Sequence, residues 1–241
     1  MPDYFASDVH LRLDRPERAF RFARWVDRLE PEDTLTIVGD LCDFWLVARQ
    51  LDAATTACAG LRALAAFRSR GGEIAFLPGN HDVWLGPYLQ RTLDAHLLVE
   101  PVRIERYGLR ILLVHGHHQG SRPVWKGWME SRAFLEAFRR APGPVARVLD
   151  RLLERVNDRG RAASEHRHLA AFRQFADRQA GSADLVVIGH IHRPVDDTTT
   201  PPRMVVLGGW QRQSSYLRVD ASDASLIVEA DPASMPCESP G

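Results

Sequence analysis

Five short polar blocks, each closing an apolar run, constrain the fold of this chain more than any other feature. They are Asp8-Val9-His10, Gly39-Asp40, Gly79-Asn80-His81-Asp82, His115-Gly116 and Gly189-His190-Ile191-His192. The runs before them, Tyr4–Ser7, Thr34–Val38, Glu73–Leu77, Arg110–Val114 and Asp184–Ile188, read as strands. Helical stretches at Pro16–Leu29, Asp52–Arg70 and Pro87–Leu93 are interspersed with them, which predicts an α/β fold. Ligand sites in open α/β sheets form at the carboxyl ends of strands, and every block is expected there. After residue 200 the pattern becomes short strands with turns at Met204–Leu207, Tyr216–Val219 and Ser225–Glu229, expected to be antiparallel.

The blocks carry seven potential metal ligands: Asp8, His10, Asp40, Asn80, His115, His190 and His192. Asp8 and His10 are two residues apart, as are His190 and His192, and on a strand end that spacing points both side chains the same way. A carboxylate has two oxygens and can bridge two ions, while Asn80 offers a neutral oxygen. Mixed imidazole and carboxylate ligands suit Mn²⁺, Fe²⁺ or Zn²⁺ better than Ca²⁺. Two such ions about 3.5–4 Å apart activate water for in-line attack on a phosphate ester or anhydride. Taken singly, each block has an ordinary reading: a hydrogen-bonded histidine, a Gly-Asp turn, a Gly-Asn turn. Their joint occurrence, in order and at strand ends, argues for two divalent metals.

The 241 residues suit one large α/β domain with an insertion, spanning 1–230, and a Pro- and Ser-rich tail at 231–241 expected to be disordered. No apolar run is long enough to span a bilayer. The start Met1–Phe5 lacks the basic and apolar stretches of a signal peptide, so a cytoplasmic location is expected. Cys42, Cys58 and Cys237 form no paired motif and read as free thiols, with Cys42 on a buried turn. Net charge is zero, yet residues 119–180 hold 13 basic against 7 acidic side chains. This basic island is mostly helical by pattern: Val145, Val148, Leu149, Leu152, Leu153 and Val156 follow the helical period. It is expected to form a helical cap at about 121–180. An apolar groove with a basic rim would suit a lipid bearing phosphates.

With these blocks quoted, the chain resembles the calcineurin-like metallophosphoesterases, whose pattern is D-x-H, G-D-x-x-D, G-N-H-[DE], H-G and G-H-x-H. Here it reads Asp8-Val-His10, Gly-Asp40-Leu-Cys-Asp43, Gly-Asn80-His81-Asp82, His115-Gly and Gly-His190-Ile-His192. The resemblance implies an αββα sandwich of two mixed sheets flanked by helices. It also implies one metal on Asp8, His10, Asp40 and His192, and a second on Asp40, Asn80, His115 and His190. His81 matches the non-ligand histidine that protonates the leaving oxygen or stabilises the transition state, and Asp43 the carboxylate that orients it.

Within that superfamily the chain is similar to the UDP-2,3-diacylglucosamine pyrophosphatases of lipid A synthesis. Gly39–Trp45, Asn80–Gly86, His190–Pro194 and Val206–Trp210 resemble that subgroup's blocks, and a helical insert of similar length separates His115 from His190. The similarity implies cleavage to 2,3-diacylglucosamine 1-phosphate and UMP, with Mn²⁺ as the expected metal. The implied partner is a lipid-linked sugar nucleotide, with peripheral contact at the cytoplasmic face of the inner membrane and no stable nucleic-acid partner. Arg161 and Ser164 resemble an R-x-x-S on the subgroup's insert, which makes them candidate substrate contacts together with His117. The chain departs from the pattern twice: some members carry Arg at the place of His81, and His117 and His118 follow His115-Gly116 where Asp is usual. The alternatives are another metallophosphoesterase substrate (nucleotide, phosphoprotein or nucleic acid) and a non-catalytic binding module.

Overall fold

Strict alternation along the central strands dictates the layers. In β6 (Leu109–Val114) and β7 (Leu185–Ile188), Ile111, Leu113, Leu185 and Val187 join one buried cluster, and Leu112, Val114, Val186 and Ile188 another. Strands buried on both faces must be covered on both, which makes a four-layer sandwich. The computed structural model describes residues 1–13, 15–43, 57–82, 85–119, 161–211 and 213–230, with helical positions 134, 137, 140, 145 and 148. The expected tail, and most of the expected cap up to residue 160, lie outside the described residues, as do Trp45 and Trp84.

The first sheet contains β1 (Asp3–Ala6), β2 (Thr34–Val38), β3 (Glu73–Leu77), β4 (His96–Leu97), β10 (Gln213–Val219) and β11 (Ala224–Ala230), in the order β11-β10-β1-β2-β3-β4. The second contains β5 (Val102–Arg106), β6, β7, β8 (Val195–Asp197) and β9 (Arg203–Val206), in the order β5-β6-β7-β9-β8. Phe5, Val38, Leu77, Val205, Leu207 and Leu217 meet Ile111 and Val187 between the sheets. Helices α1 (Pro16–Val26), α2 (Ala59–Ser69) and α3 (Gly86–Leu93) cover the outer face of the first sheet, packing Phe22, Trp25 and Phe67 with Leu35 and Phe76. Helix α4 (Arg161–Asp177) covers the second sheet through Phe172 and Ala176. Its residues fall inside the span expected as cap. Among the described residues, no helix is long and apolar enough to cross a membrane.

One sequence expectation is corrected. β9 is not purely antiparallel: it runs parallel to β7, in register Leu185↔Arg203 to Ile188↔Val206, and antiparallel only to β8. Its other neighbour, β7, is reached only by passing β8, and local pattern does not give the direction of that pairing. β10 does pair antiparallel with both β1 and β11.

The parallel triplets β1-β2-β3 and β6-β7-β9 each send their carboxyl ends to one edge. Backbone bonds draw the following loops together: Asp8 N donates to Gly39 O at 3.1 Å, His10 N to Asp40 O at 3.0 Å, and Leu207 N to Ile188 O at 2.9 Å.

Candidate dinuclear metal centre

The chain turns sharply after β1, β2 and β7. Asp8, His10, Asp40 and His190 all adopt left-handed backbone, with φ of 52°, 51°, 52° and 67°. Such a conformation costs a non-glycine residue about 1–2 kcal/mol, so the fold stores strain at four of the seven sequence-predicted ligands. Two glycines allow the blocks to close. Gly39 sits at φ 84°, and a Cβ there would lie 2.2 Å from His115 Nδ1. A Cβ on Gly79 would lie 2.2 Å from Asp40 Oδ1.

All seven predicted ligands converge in two adjoining groups. In the first, His10 Nε2 and His192 Nε2 stand 3.0 Å apart. Asp8 Oδ1 lies 3.8 Å from the one and 3.6 Å from the other. In the second, Asn80 Oδ1 is 3.2 Å from His115 Nε2 and 3.1 Å from His190 Nδ1. Asp40 Oδ2 stands between them, 3.4 Å from His115 Nε2 and 3.9 Å from His10 Nε2. The ligand atoms of Asp8, His10 and His192 lie within 4.8 Å of one another, as do those of Asp40, His115 and His190.

Divalent cations fit these groups. Asp8 Oδ1 is buried with no hydrogen-bond partner, although Oδ2 of the same carboxylate accepts from Ser7 Oγ at 2.5 Å and from His190 N at 2.8 Å. A buried orphan acceptor costs about 1–3 kcal/mol, more when charged, and a cation shared with two imidazole nitrogens removes that cost. The outer nitrogens of the rings are already engaged: His115 Nδ1 donates to Val38 O at 2.9 Å, and His10 Nδ1 lies 3.4 Å from Asp43 Oδ1. His192 Nδ1 lies 2.8 Å from the Gln211 amide. An imidazole held at one nitrogen presents the other as a ligand.

Charge follows the same geometry. Burial alone would raise the Asp40 carboxyl, but the His115, His81 and His10 rings hold it well below the ordinary carboxylate range. Burial would likewise depress His10 and His115. Asp43 and Asp8 outweigh it at His10, and Asp40 at His115, pushing each up to about 10. His190 is pushed the other way, by burial and then by the charge of His115. Cations at these points compete with the imidazole protons for the same lone pairs.

His81 stands beside the ligands. Its Nδ1 bonds Asp43 Oδ1 at 2.8 Å and its Nε2 faces Asp40 Oδ2 at 4.0 Å. The Asp43 carboxylate touches two rings, not one, because the same Oδ1 also faces His10. Burial would raise Asp43, but His10 and His81 keep it well below its usual range. Arg12, buried, lies 3.6 Å from Asp43 Oδ2.

Four supporting residues escaped the sequence reading. Asp82, fully buried, accepts from Gly79 N at 2.8 Å, Asp40 N at 3.3 Å and Cys42 N at 3.2 Å, tying two blocks together through one carboxylate. Its place at the end of the Gly-Asn-His-Asp block was the available signal. Gln211 and Arg12 gave none beyond following Trp210 and His10. His168, on α4, places its ring 5.4 Å from that of His190, and a helix face offers no clue to that. His117 lies 5.4 Å from His115, ring to ring. Arg161 and Ser164 fall in the first turn of α4, with their side chains outside the described residues. Trp210 is a core residue: its ring packs against Phe22 and Trp25, and its backbone N donates to Asp8 O at 3.4 Å.

Comparison with known proteins gives the family. The profile of the calcineurin-like phosphoesterases matches residues 1–194. A UDP-2,3-diacylglucosamine hydrolase of Aeromonas salmonicida (strain A449) is 30% identical, over 98% of this chain and 96% of its own. One from Pseudomonas paraeruginosa (strain DSM 24068 / PA7) is 29% identical over 90% and 95%, and one from Stenotrophomonas maltophilia (strain K279a) is 28% identical over 94% and 98%.

Proposed function

This chain belongs to the calcineurin-like phosphoesterase family and is a metal-dependent phosphoester hydrolase, and from that premise we propose that it cleaves the pyrophosphate bond of UDP-2,3-diacylglucosamine to 2,3-diacylglucosamine 1-phosphate and UMP. The likeness to hydrolases of that substrate over nearly the full length of both chains carries the reading, since it spans the segment between His115 and His190 as well as the ligand blocks.

In this reading Asp8, His10 and His192 would hold one divalent cation and Asn80, His115 and His190 a second, with Asp40 a ligand to both. Mn²⁺ is the proposed metal. Bound there, such ions would supply an activated water and neutralise charge on the attacked phosphate. The chain's own residues do the rest. Asp43 holds His81 by Nδ1, which aims Nε2 inward as the donor to the leaving phosphate oxygen. Asp82 fixes the Asp40 and Gly79 amides, so that the bridging carboxylate and Asn80 keep their places. Substrate contacts from Arg161, Ser164 and His117, a cap at about 121–180, and peripheral contact with the cytoplasmic face of the inner membrane complete the proposal.

Purified protein with Mn²⁺ is expected to release UMP from UDP-2,3-diacylglucosamine. Intact substrate beside rapid turnover of a simple phosphodiester would instead favour a general phosphoesterase, the second reading. His81 and His117, which depart from the subgroup's pattern, are the observations in its favour.

A further inference from the structure

The two flanks of the centre differ in chemistry. On the His10 flank the nearest ring outside the predicted ligands is His81, 4.9 Å away, backed by the Asp43 carboxylate. On the His190 flank stand further imidazoles. His168 lies 5.4 Å from His190 at 75° between ring planes. His117 lies 6.4 Å from His190 and 5.4 Å from His115, and His118 packs on His117 at 3.7 Å. His117 and His168 are half-buried and His118 is exposed, so the group runs from the centre outward to solvent. Its position is fixed by packing: Phe172, one helical turn beyond His168, is fully buried against the second sheet and sets α4 beside the end of β7.

We infer that His168 and His117 form a rim of non-ligating imidazoles that receives the oxygens of the phosphate not under attack. The inference deepens the pyrophosphatase reading and rests on it. A diphosphate carries two anionic groups, and only one can sit at the point of water attack. The other needs donors of its own, because a desolvated anion without them is costly. An imidazole N–H donates in either charge state, so the rim works without a protonation change. It selects diphosphates over single phosphodiesters, which lack the second anionic group.

The test compares His168→Ala, His117→Ala and the double variant with wild type, all loaded with Mn²⁺ and checked for metal content. UDP-2,3-diacylglucosamine and bis(4-nitrophenyl) phosphate are the two substrates. Each single variant is expected to raise KM for the diphosphate about tenfold with kcat nearly unchanged, and His168→Ala to leave the phosphodiester within about twofold. His168→Asn, which keeps an N–H donor, should recover part of the loss. Equal losses on both substrates, loss of metal, or no change at all would overturn the inference. Wild type inert on the diphosphate but active on the phosphodiester would refute the proposed function separately. In that case the rim is judged by inhibition of phosphodiester turnover at fixed free Mn²⁺. UDP is expected to inhibit wild type more tightly than UMP and to lose that advantage in the double variant; equal inhibition of wild type by both overturns it.

Discussion

One oxygen of Asp43 faces both His81, at 2.8 Å, and His10, at 3.4 Å. The proposed acid and a proposed metal ligand therefore share a carboxylate, and substitutions should separate the two roles. His81→Ala is expected to lower kcat about 10²–10⁴-fold and leave metal stoichiometry intact. Asp43→Asn should lower kcat comparably and also weaken metal binding about 10–100-fold, because it loosens His10. Steady-state kinetics paired with metal titration checks both; unchanged metal affinity in Asp43→Asn would mean that the contact with His10 is incidental. At this scale the sequence was most informative. All seven side chains that the structure brings together were legible, because a metal set would demand fixed residue types at fixed strand ends. Asp82, Gln211, Arg12 and His168 were not, because their partners come from other elements and no local spacing encodes them.

Turns and helices set how tightly those residues meet. Gly39→Ala would put a methyl 2.2 Å from His115 Nδ1 at a backbone φ of 84°. Loss of stability by more than about 1 kcal/mol is expected, together with loss of metal. Denaturation with and without Mn²⁺ measures it, and wild-type behaviour in both would count against a close-packed centre. Phe172→Ala removes the fully buried anchor of α4 and should cost about 3–5 kcal/mol in the same assay. The core strands were legible because unbroken apolar runs end at polar blocks. β4 was not: it is two exposed residues, His96 and Leu97, with too little pattern to register. β5 alternates Val-Arg-Ile-Glu-Arg at a sheet edge, where exposed charges dilute the apolar signal. The parallel pairing of β9 with β7 lay beyond reach for a different reason, since a neighbour's direction is a property of the assembled sheet.

Across the whole molecule, metal binding, protonation and stability are linked. His10 and His115 are each pushed up to about 10 by the neighbouring carboxylates. Both rings are thus protonated at neutral pH until a cation takes the lone pair. Metal binding should release roughly one proton per such ring, and apparent affinity should rise as pH climbs toward 10. Calorimetry in two buffers of different ionisation enthalpy counts the protons. With chelator present the sign reverses for folding. The raised histidine pKa values stabilise the chain below the unfolded value of about 6.5, and that contribution is lost as pH rises toward 10. A stability profile flat from pH 6.5 to 10 would contradict the assignment.

The most direct measurement is the metal content of the chain after equilibrium dialysis against Mn²⁺, for wild type and Asp40→Ala. The account predicts two equivalents bound by wild type and less than one by the variant, because Asp40 Oδ2 faces both groups, 3.9 Å from His10 Nε2 and 3.4 Å from His115 Nε2. One equivalent in wild type, or two retained by Asp40→Ala, would contradict a centre bridged by Asp40.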